Sequence, residues 1–130
     1  RVLAVNAMGP VLTTQALHGQ FLPGAVIASL SARVGSIGDN RLGGWWSYRM
    51  SKAALNMATV NMSVEMRRSE VYAVAVHPGT CATDLSRPFQ KHVKPEKLFT
   101  VDYSTNAMLD VLQQLSPADS GGFFAYDGSR

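Results

Sequence analysis

Residues 71–79 read Val-Tyr-Ala-Val-Ala-Val-His-Pro-Gly, and this stretch decides the fold class. Its first seven residues are mostly apolar and β-branched, and Pro78 and Gly79 end the run, which is typical of a strand buried in a parallel sheet. Residues 25–30, Ala-Val-Ile-Ala-Ser-Leu, show the same pattern between a turn and a glycine-rich loop. A third apolar run covers residues 123–126. The sequence therefore predicts three short buried strands.

Helices are predicted around these strands, over residues 2–21, 48–68 and 100–115. Thr100 is the expected N-terminal cap of the last one. Residues 33–44 hold four glycines and are predicted to form a loop, and residues 83–98 are predicted to be irregular and mobile. Alternating helices and strands imply right-handed crossovers and a parallel sheet with helices on both faces. We therefore expect an α/β fold whose ligands bind at the carboxyl ends of the strands.

The composition limits the class of protein. The chain has 130 residues, 46% of them hydrophobic and 16% charged, with a formal net charge of +3. This length suits one globular domain, and the positive charge is too small for a nucleic-acid-binding surface. Residues 2–32 contain no charged side chain, but their polar residues and prolines exclude a membrane span. Cys81 is the single cysteine, so we expect no internal disulfide, no metal site and a cytoplasmic location.

The beginning of the chain lies inside a helical pattern. Arg1 is followed directly by apolar residues of helical type, and no Ser, Thr, Asp or Asn precedes them as a cap. We therefore expect this chain to be a fragment or an incomplete sequence of a longer protein.

The leading catalytic candidates are Tyr48 and Lys52, which lie four residues apart on one face of the second predicted helix. A phenol with its usual pKa is a poor acid–base catalyst at neutral pH, and a neighbouring cation lowers that pKa. The positive end of the helix dipole acts in the same direction. Such a tyrosine suits proton transfer to a carbonyl oxygen. The spacing alone is weak evidence, because a solvated pair on a helix surface also has it.

The neighbouring motifs make the chain resemble the short-chain dehydrogenase/reductase family, and within it the C-factor-like branch. The resemblance covers nearly the whole chain, as the C-terminal half of the family's domain. It is carried by Val5-Asn6-Ala7-Met8-Gly9-Pro10, by residues 30–40 (Leu-Ser-Ala-Arg-Val-Gly-Ser-Ile-Gly-Asp-Asn), by Tyr48-x-x-x-Lys52, by residues 77–84 (His-Pro-Gly-Thr-Cys-Ala-Thr-Asp) and by Tyr126-Asp127-Gly128. It implies a partial Rossmann-type doubly wound sheet, with residues 1–130 as the C-terminal part of one domain. It also implies an oxidoreductase that transfers a hydride between NAD or NADP and a carbonyl or alcohol substrate.

The resemblance assigns roles to three residues of the predicted helices. Tyr48 corresponds to the general acid and base and also to a cofactor-binding residue, and Lys52 to the residue that lowers its pKa and holds the nicotinamide ribose. Asn6 corresponds to the asparagine whose main-chain carbonyl holds a water in the proton relay. Pro10 supplies a physical reason for that role, because it has no N–H and leaves the carbonyl of Asn6 without its helical partner. A plain Gly-Pro kink would distort the helix in the same way without binding water.

The resemblance also assigns cofactor contacts to the loop after the second strand. Pro78, Gly79, Cys81 and Thr83 correspond to the family's nicotinamide loop, in which the main chain at Cys81 meets the carboxamide and the Thr83 hydroxyl supports it. Proline and glycine also end many strands that bind nothing. Cys81 is interpreted as a small side chain near the site and not as a nucleophile.

Ala32 departs from the family's pattern. The usual Ser-Ser-x-x-Gly is here Ser31-Ala32-Arg33-Val34-Gly35, so alanine stands where the catalytic serine is expected. Alanine cannot donate a hydrogen bond, and neighbouring strand residues face opposite sides, so Ser31 is not expected to replace it. Loss of one such donor typically costs about a hundredfold to a thousandfold in turnover. Slow turnover, or none, is expected.

A second departure concerns the cofactor phosphates. No Gly-x-x-x-Gly-x-Gly motif lies between a predicted strand and a helix. The pyrophosphate and adenosine sites are therefore absent from these residues, and this polypeptide should bind nicotinamide dinucleotide weakly. Three strands alone should also expose a sheet edge and a large apolar surface.

Two predicted helices carry few charges on any face, which indicates that more than the sheet covers them. In residues 48–64 the only charged side chains are Arg49 and Lys52, and residues 2–21 have none. Helices of this kind commonly form a four-helix interface in this family. We expect a homodimer or tetramer.

Three functions remain open. The first is an active reductase or dehydrogenase whose substrate is selected by residues 83–98 and by Trp45 and Trp46. A place in a core or an interface would explain these two tryptophans equally well. The basic residues of that loop suit an anionic substrate or the cofactor phosphates, or a plain solvated surface. The second is a catalytically impaired signalling or scaffold protein with the same fold, which Ala32 favours. The third is a truncated fragment that is inactive alone.

Overall fold

The computed structural model describes residues 1–130, and its centre is a three-stranded parallel sheet. Strands β1 (Val26–Leu30), β2 (Tyr72–His77) and β5 (Phe123–Ala125) lie in the order β1-β2-β5. In this register Leu30 pairs with Val76, which in turn pairs with Phe124. The carboxyl ends of the strands therefore meet at one edge. The three predicted strands and their parallel arrangement are confirmed.

Three α-helices flank the sheet: α1 (Gly9–Leu17), α2 (Trp46–Glu65) and α3 (Val101–Gln114). On one face Val74, Val76 and Phe124 form a buried cluster against apolar side chains of α3. On the other face α2 buries Leu55, which is 1% exposed. The Thr100 hydroxyl accepts a hydrogen bond from the Tyr103 N–H, as predicted for the cap of α3. The fold is an α/β Rossmann-type sheet with helices on both sides.

The first helical segment is distorted where the sequence predicts it. Residues Ala4–Met8 form a π-helical turn in which the Gly9 N–H bonds the carbonyl of Ala4, and α1 starts directly afterwards. Pro10 has no N–H for the carbonyl of Asn6, and the wider turn absorbs that missing bond. The distortion is thus local to the residues of the predicted site.

Residues 83–98 are irregular, as the sequence predicts, and consist mainly of turns and of short 3₁₀ helices at Arg87–His92 and Pro95–Lys97. Strands β3 (Thr80–Cys81) and β4 (Leu98–Phe99) border the segment and pair in parallel. Gly79 makes the turn before β3 with φ +73°, and a side chain there would collide with the ring of Phe99. These strands of two residues leave no periodic pattern, which is why the sequence did not predict them.

The outer edge of β1 is open. Val26 and Leu30 of this strand are 43% and 56% exposed, and the apolar side chains of Val5, Met8 and Leu12 on the first helical segment are exposed as well. An unpaired parallel edge beside apolar surface is what the sequence predicts for three strands taken alone. No helix is both long enough and apolar enough to span a membrane.

Candidate active site

Tyr48 and Lys52 lie in the first turns of α2, at the carboxyl edge of the sheet. The Lys52 Nζ donates a hydrogen bond of 2.7 Å to the main-chain carbonyl of Leu30, the last residue of β1. The same Nζ lies 5.9 Å from the centre of the Tyr48 ring. Both side chains are half-buried. The lysine therefore joins the face of α2 that carries Tyr48 to the end of β1 and keeps its charge near the phenol.

The protonation of this pair differs from the sequence-based expectation. Burial raises the pKa of Tyr48 above its usual value of 10.0, whereas the sequence predicted that Lys52 would lower it. Burial also lowers the pKa of Lys52 from its usual value of 10.5. The cause is desolvation of both groups, which disfavours each charged form. The four-residue spacing does not encode this burial, and the tyrosine is a neutral phenol at pH 7.

Gly35 brings the loop after β1 into contact with the helix at Lys52. A Cβ at Gly35 would lie 2.8 Å from the Cβ and 2.8 Å from the carbonyl carbon of Lys52, closer than real side chains approach. Glycine is therefore required sterically at this position. The close approach fixes residues 33–35 against the helix that carries Tyr48.

Ser31 does not take the place of the missing serine. Its hydroxyl donates a 2.6 Å hydrogen bond to Asn56 Oδ1 on α2, and the side chain is buried. Ala32 follows in an extended conformation, with φ −152° and ψ 145°, so the two side chains point in opposite directions. The hydrogen bond to Asn56 agrees with the prediction that Ser31 does not replace the missing serine.

Asn6 joins the site through a residue that the sequence did not single out. The Asn6 Nδ2 donates to Ser51 Oγ at 3.1 Å, and Ser51 Oγ donates to the main-chain carbonyl of Tyr48 at 2.8 Å. Ser51 is completely buried. This chain of hydrogen bonds attaches the π-helical turn to the first turn of α2. Ser51 faces the same way as Tyr48 at a spacing of three residues, which was the available signal.

The loop after β2 lies at the same edge of the sheet but is held by other elements. The buried hydroxyl of Ser104 on α3 donates to the carbonyl of Pro78 at 2.7 Å, and Cys81 Sγ lies 3.6 Å from the same oxygen. The Ala82 N–H bonds Phe99 of β4, and the Thr83 N–H bonds the carbonyl of Cys81. Hydrogen bonds thus fix the loop to α3 and β4 and within itself, and none joins it to Tyr48 or Lys52.

The turn directly before α2 contains a further group that sequence reasoning missed. Gly43, Gly44 and Trp45 are three successive residues with positive φ, at 63°, 67° and 46°. The left-handed conformation costs a non-glycine residue such as Trp45 roughly 1–2 kcal/mol. The Arg49 side chain bonds the carbonyls of both glycines. The Gly-Gly pair directly before two tryptophans was the signal for an unusual turn.

Comparison with known proteins decides the family. A family model described as short chain dehydrogenase matches residues 1–94. The chain belongs to this family. The matched residues include Asn6, Tyr48 and Lys52 and the loop from Pro78 to Thr83, so the elements that form the site described above lie within the family's own pattern.

Individual relatives support the same assignment. The C-signal protein of Myxococcus xanthus is 38% identical over 132 residues, a match that covers 100% of this chain and 75% of that protein. The 1-hydroxy-2-glutathionyl-2-methyl-3-butene dehydrogenase of Rhodococcus sp. strain AD45 is 34% identical, with 99% of this chain and 56% of that protein covered.

A solved structure shows the same fold. The NADPH-bound carbonyl reductase from chicken fatty liver is 36% identical and superposes with a TM-score of 0.85. The alignment covers 98% of this chain and 54% of the reductase. This chain therefore spans about half the length of the chicken enzyme and of the Rhodococcus dehydrogenase, and three quarters of C-signal.

Proposed function

We propose that this chain supplies the catalytic part of an NAD(P)-dependent oxidoreductase, which transfers a hydride between nicotinamide and a carbonyl or alcohol substrate. Residues 1–130 act in this proposal as the C-terminal part of one dinucleotide-binding domain. The observation that carries it is the half-buried Tyr48–Lys52 pair, which is anchored to β1 through Leu30 and to the π-helical turn through Ser51. Family membership and the NADPH-bound chicken reductase favour the same chemistry.

The residues that are present fit the nicotinamide end of such a cofactor. Lys52 offers an ammonium group at the carboxyl edge of the sheet, and the loop of Pro78, Gly79, Cys81 and Thr83 offers main-chain and hydroxyl groups at the same edge. Ligands of parallel sheets bind at this edge. When bound, the nicotinamide donates or accepts the hydride. The carbonyl of Cys81 already accepts from the Thr83 N–H and the Ser86 hydroxyl, so the carboxamide would depend on the remaining polar groups of the loop.

The proton step falls to Tyr48. Because burial raises its pKa, the phenol is protonated at neutral pH and can donate its proton to a carbonyl oxygen that gains a hydride. The reverse reaction needs the phenolate, which is disfavoured in the same surroundings. The site therefore suits reduction of carbonyl compounds better than oxidation of alcohols near neutral pH.

Ala32 favours a second candidate function. The usual donor to the substrate oxygen is missing at this position, and Ser31 is engaged with Asn56 instead. A protein that keeps the fold and binds nucleotide without rapid turnover would serve in signalling or as a scaffold, and its similarity to C-signal fits that role. Turnover distinguishes the two candidates, because the scaffold does not depend on the Tyr48 hydroxyl.

Self-association forms part of the proposal. Met50, Met57 and Val64 follow one another at intervals of seven on α2, and all three are exposed. Apolar residues at this spacing form a seam suited to helix–helix packing. A homodimer or tetramer would cover the seam. A cytoplasmic location belongs to the same proposal and is favoured by the unpaired Cys81.

The test compares the wild-type chain with Tyr48→Phe. NADPH oxidation in the presence of an aromatic ketone is followed by absorbance, and NADPH binding by saturation-transfer NMR. The active-enzyme proposal expects binding to both proteins and oxidation only by the wild type. Binding to both without oxidation by either supports the scaffold, and absence of binding to either contradicts both candidates.

A further inference from the structure

Arg49, the neighbour of Tyr48 on α2, is engaged with main-chain oxygens instead of an acidic side chain. Its Nε donates to the carbonyl of Gly43 at 3.0 Å and to that of Gly44 at 3.1 Å, and its Nη1 donates to the carbonyl of Val34 at 3.3 Å. It takes part in no ion pair. One guanidinium thus joins both ends of the loop between β1 and α2.

The main chain that Arg49 contacts leads into one strained residue, Trp45. Gly43, Gly44 and Trp45 all adopt left-handed backbone conformations, and L residues other than glycine rarely do so. A segment of this kind persists only when its surroundings impose it. The planar, multidentate guanidinium is suited to that task, because its several donors have a fixed relative geometry that a lysine cannot reproduce.

The hydrogen bonds of Arg49 fix the turn that positions the Trp45 ring. Its centre lies 5.3 Å from that of Phe89, with 58° between the ring planes. Phe89 belongs to the 3₁₀ helix at Arg87–His92, in the segment that follows β2 and β3. The pair therefore connects the loop after β1 with the loop after β2.

Apolar side chains on the same segments are strongly exposed. Ile37 and Leu42 in the loop after β1, Leu85 in the loop after β2 and Trp46 at the start of α2 are all more than three quarters exposed. Arg33 pairs with Asp39 and Arg87 with Asp84, while Arg41 and Lys91 in the same loops take part in no ion pair. Aromatic faces favour flat apolar ligands.

We propose that Arg49 is a positioning residue for the substrate: it fixes residues 34–45 so that Trp45 meets Phe89, and this aromatic pair selects flat, apolar carbonyl compounds. The proposal rests on the proposed oxidoreductase function for the reaction, but the arrangement that it describes is independent of turnover. Arg49 itself is not a catalytic residue, because its donors are directed to the main chain of the loop.

The experiment uses Trp46→Phe as the background, which leaves Trp45 as the only tryptophan of the chain. Binding of benzil, an aromatic diketone, is followed by quenching of Trp45 fluorescence, and the packing of the ring by near-ultraviolet circular dichroism. Arg49→Gln should weaken benzil binding about tenfold, or about 1.4 kcal/mol, and reduce the dichroism band to less than half. Arg49→Lys should weaken binding as well, since lysine keeps the positive charge but lacks the planar guanidinium with its several donors.

Arg41→Gln is the matched control, because it removes the same charge from the loop that Arg49 contacts and Arg41 makes no side-chain hydrogen bond or ion pair. It should leave both signals unchanged, and Phe89→Leu should reproduce the effect of Arg49→Gln. Equal effects of Arg41→Gln and Arg49→Gln, or unchanged signals in both, would overturn the positioning role.

Kinetics separate this proposal from the proposed function. For Arg49→Gln we expect the KM for benzil to rise about tenfold with kcat within about twofold, while the KM for propanal stays constant. A fall in kcat without a change in KM would overturn the proposal. If the wild type oxidises no NADPH with any carbonyl compound, the oxidoreductase function fails, and the benzil dissociation constants still decide the role of Arg49.

Discussion

Lys52 donates its ammonium hydrogen bond to the main-chain carbonyl of Leu30, 22 residues earlier in the chain, across 2.7 Å. This contact joins the end of β1 to the helix that carries Tyr48. Hydrogen bonds to charged groups contribute about 1.5–3 kcal/mol when one partner is deleted. Since Lys52 is only half-buried, the lower part of that range applies.

Lys52→Met should therefore lower the free energy of unfolding by about 1–2 kcal/mol and abolish NADPH oxidation. Urea denaturation followed by circular dichroism measures the first effect, and absorbance the second. Lys52→Arg is the control, since it keeps a donor for Leu30. A Lys52→Met protein with wild-type stability would show that the contact with Leu30 contributes nothing.

Gly35→Ala should destabilise the chain by about 1–3 kcal/mol, because its Cβ would overlap the main chain and the Cβ of Lys52. Gly38→Ala is the matched control, as it lies in the same loop with open space around the new methyl group. Thermal unfolding of the two variants provides the measurement. Equal melting temperatures would contradict the close packing between this loop and α2.

Ala32→Ser should raise the rate of carbonyl reduction by about a hundredfold, because it supplies a donor to the substrate oxygen. Ser31→Ala is the comparison, and it should leave kcat unchanged while it removes the hydrogen bond to Asn56. Steady-state kinetics at saturating nucleotide measures both. No gain from Ala32→Ser would mean that another group already serves the substrate oxygen.

The pH dependence of the two reaction directions should differ. Reduction needs protonated Tyr48, and burial raises its pKa above 10.0, so the reduction rate should stay level through neutral pH and fall only above about pH 10. Alcohol oxidation needs the phenolate and should rise with pH over the same range. Rate profiles in both directions test this. A reduction rate that falls between pH 6 and 8 would be inconsistent with a raised pKa, in view of the usual value near 10.

Binding of nucleotide fragments should reveal which end of the cofactor this chain holds. The residues that fit the nicotinamide are present, and no Gly-x-x-x-Gly-x-Gly motif is available for the pyrophosphate. Reduced nicotinamide mononucleotide should therefore bind within about threefold as tightly as NADPH, and adenosine 2′,5′-bisphosphate should not bind, because contacts that are not made add no affinity. Isothermal titration calorimetry gives the comparison. Preferential binding of the adenosine fragment would contradict the assignment.

Much of the architecture follows from local patterns in the sequence. The apolar runs at 25–30 and 71–77 became β1 and β2, because β-branched stretches between turn residues have few other buried conformations. Thr100 caps α3 as predicted. Pro10 predicted the distortion at Asn6, since a proline has no N–H to bond the carbonyl four residues earlier in a helix.

Other features depend on contacts between distant segments, which local patterns do not contain. The pairing of β3 with β4 requires residues 80 and 98 to meet, and neither strand is long enough to show a period. In the sequence, Arg49 looks like an ordinary residue on the surface of a helix. Only the folded loop reveals its three main-chain partners. The pKa of Tyr48 moves opposite to the prediction because burial disfavours the charged phenolate.

The most direct test of the central claim is the rate of NADPH oxidation with benzil by Tyr48→Phe relative to the wild type. Removal of a general acid is expected to lower the rate about a hundredfold to ten-thousandfold. NADPH binding, measured by saturation-transfer NMR, should persist in Tyr48→Phe, since phenylalanine keeps the ring and removes only the hydroxyl that transfers the proton. A Tyr48→Phe protein that oxidises NADPH as fast as the wild type would contradict the account.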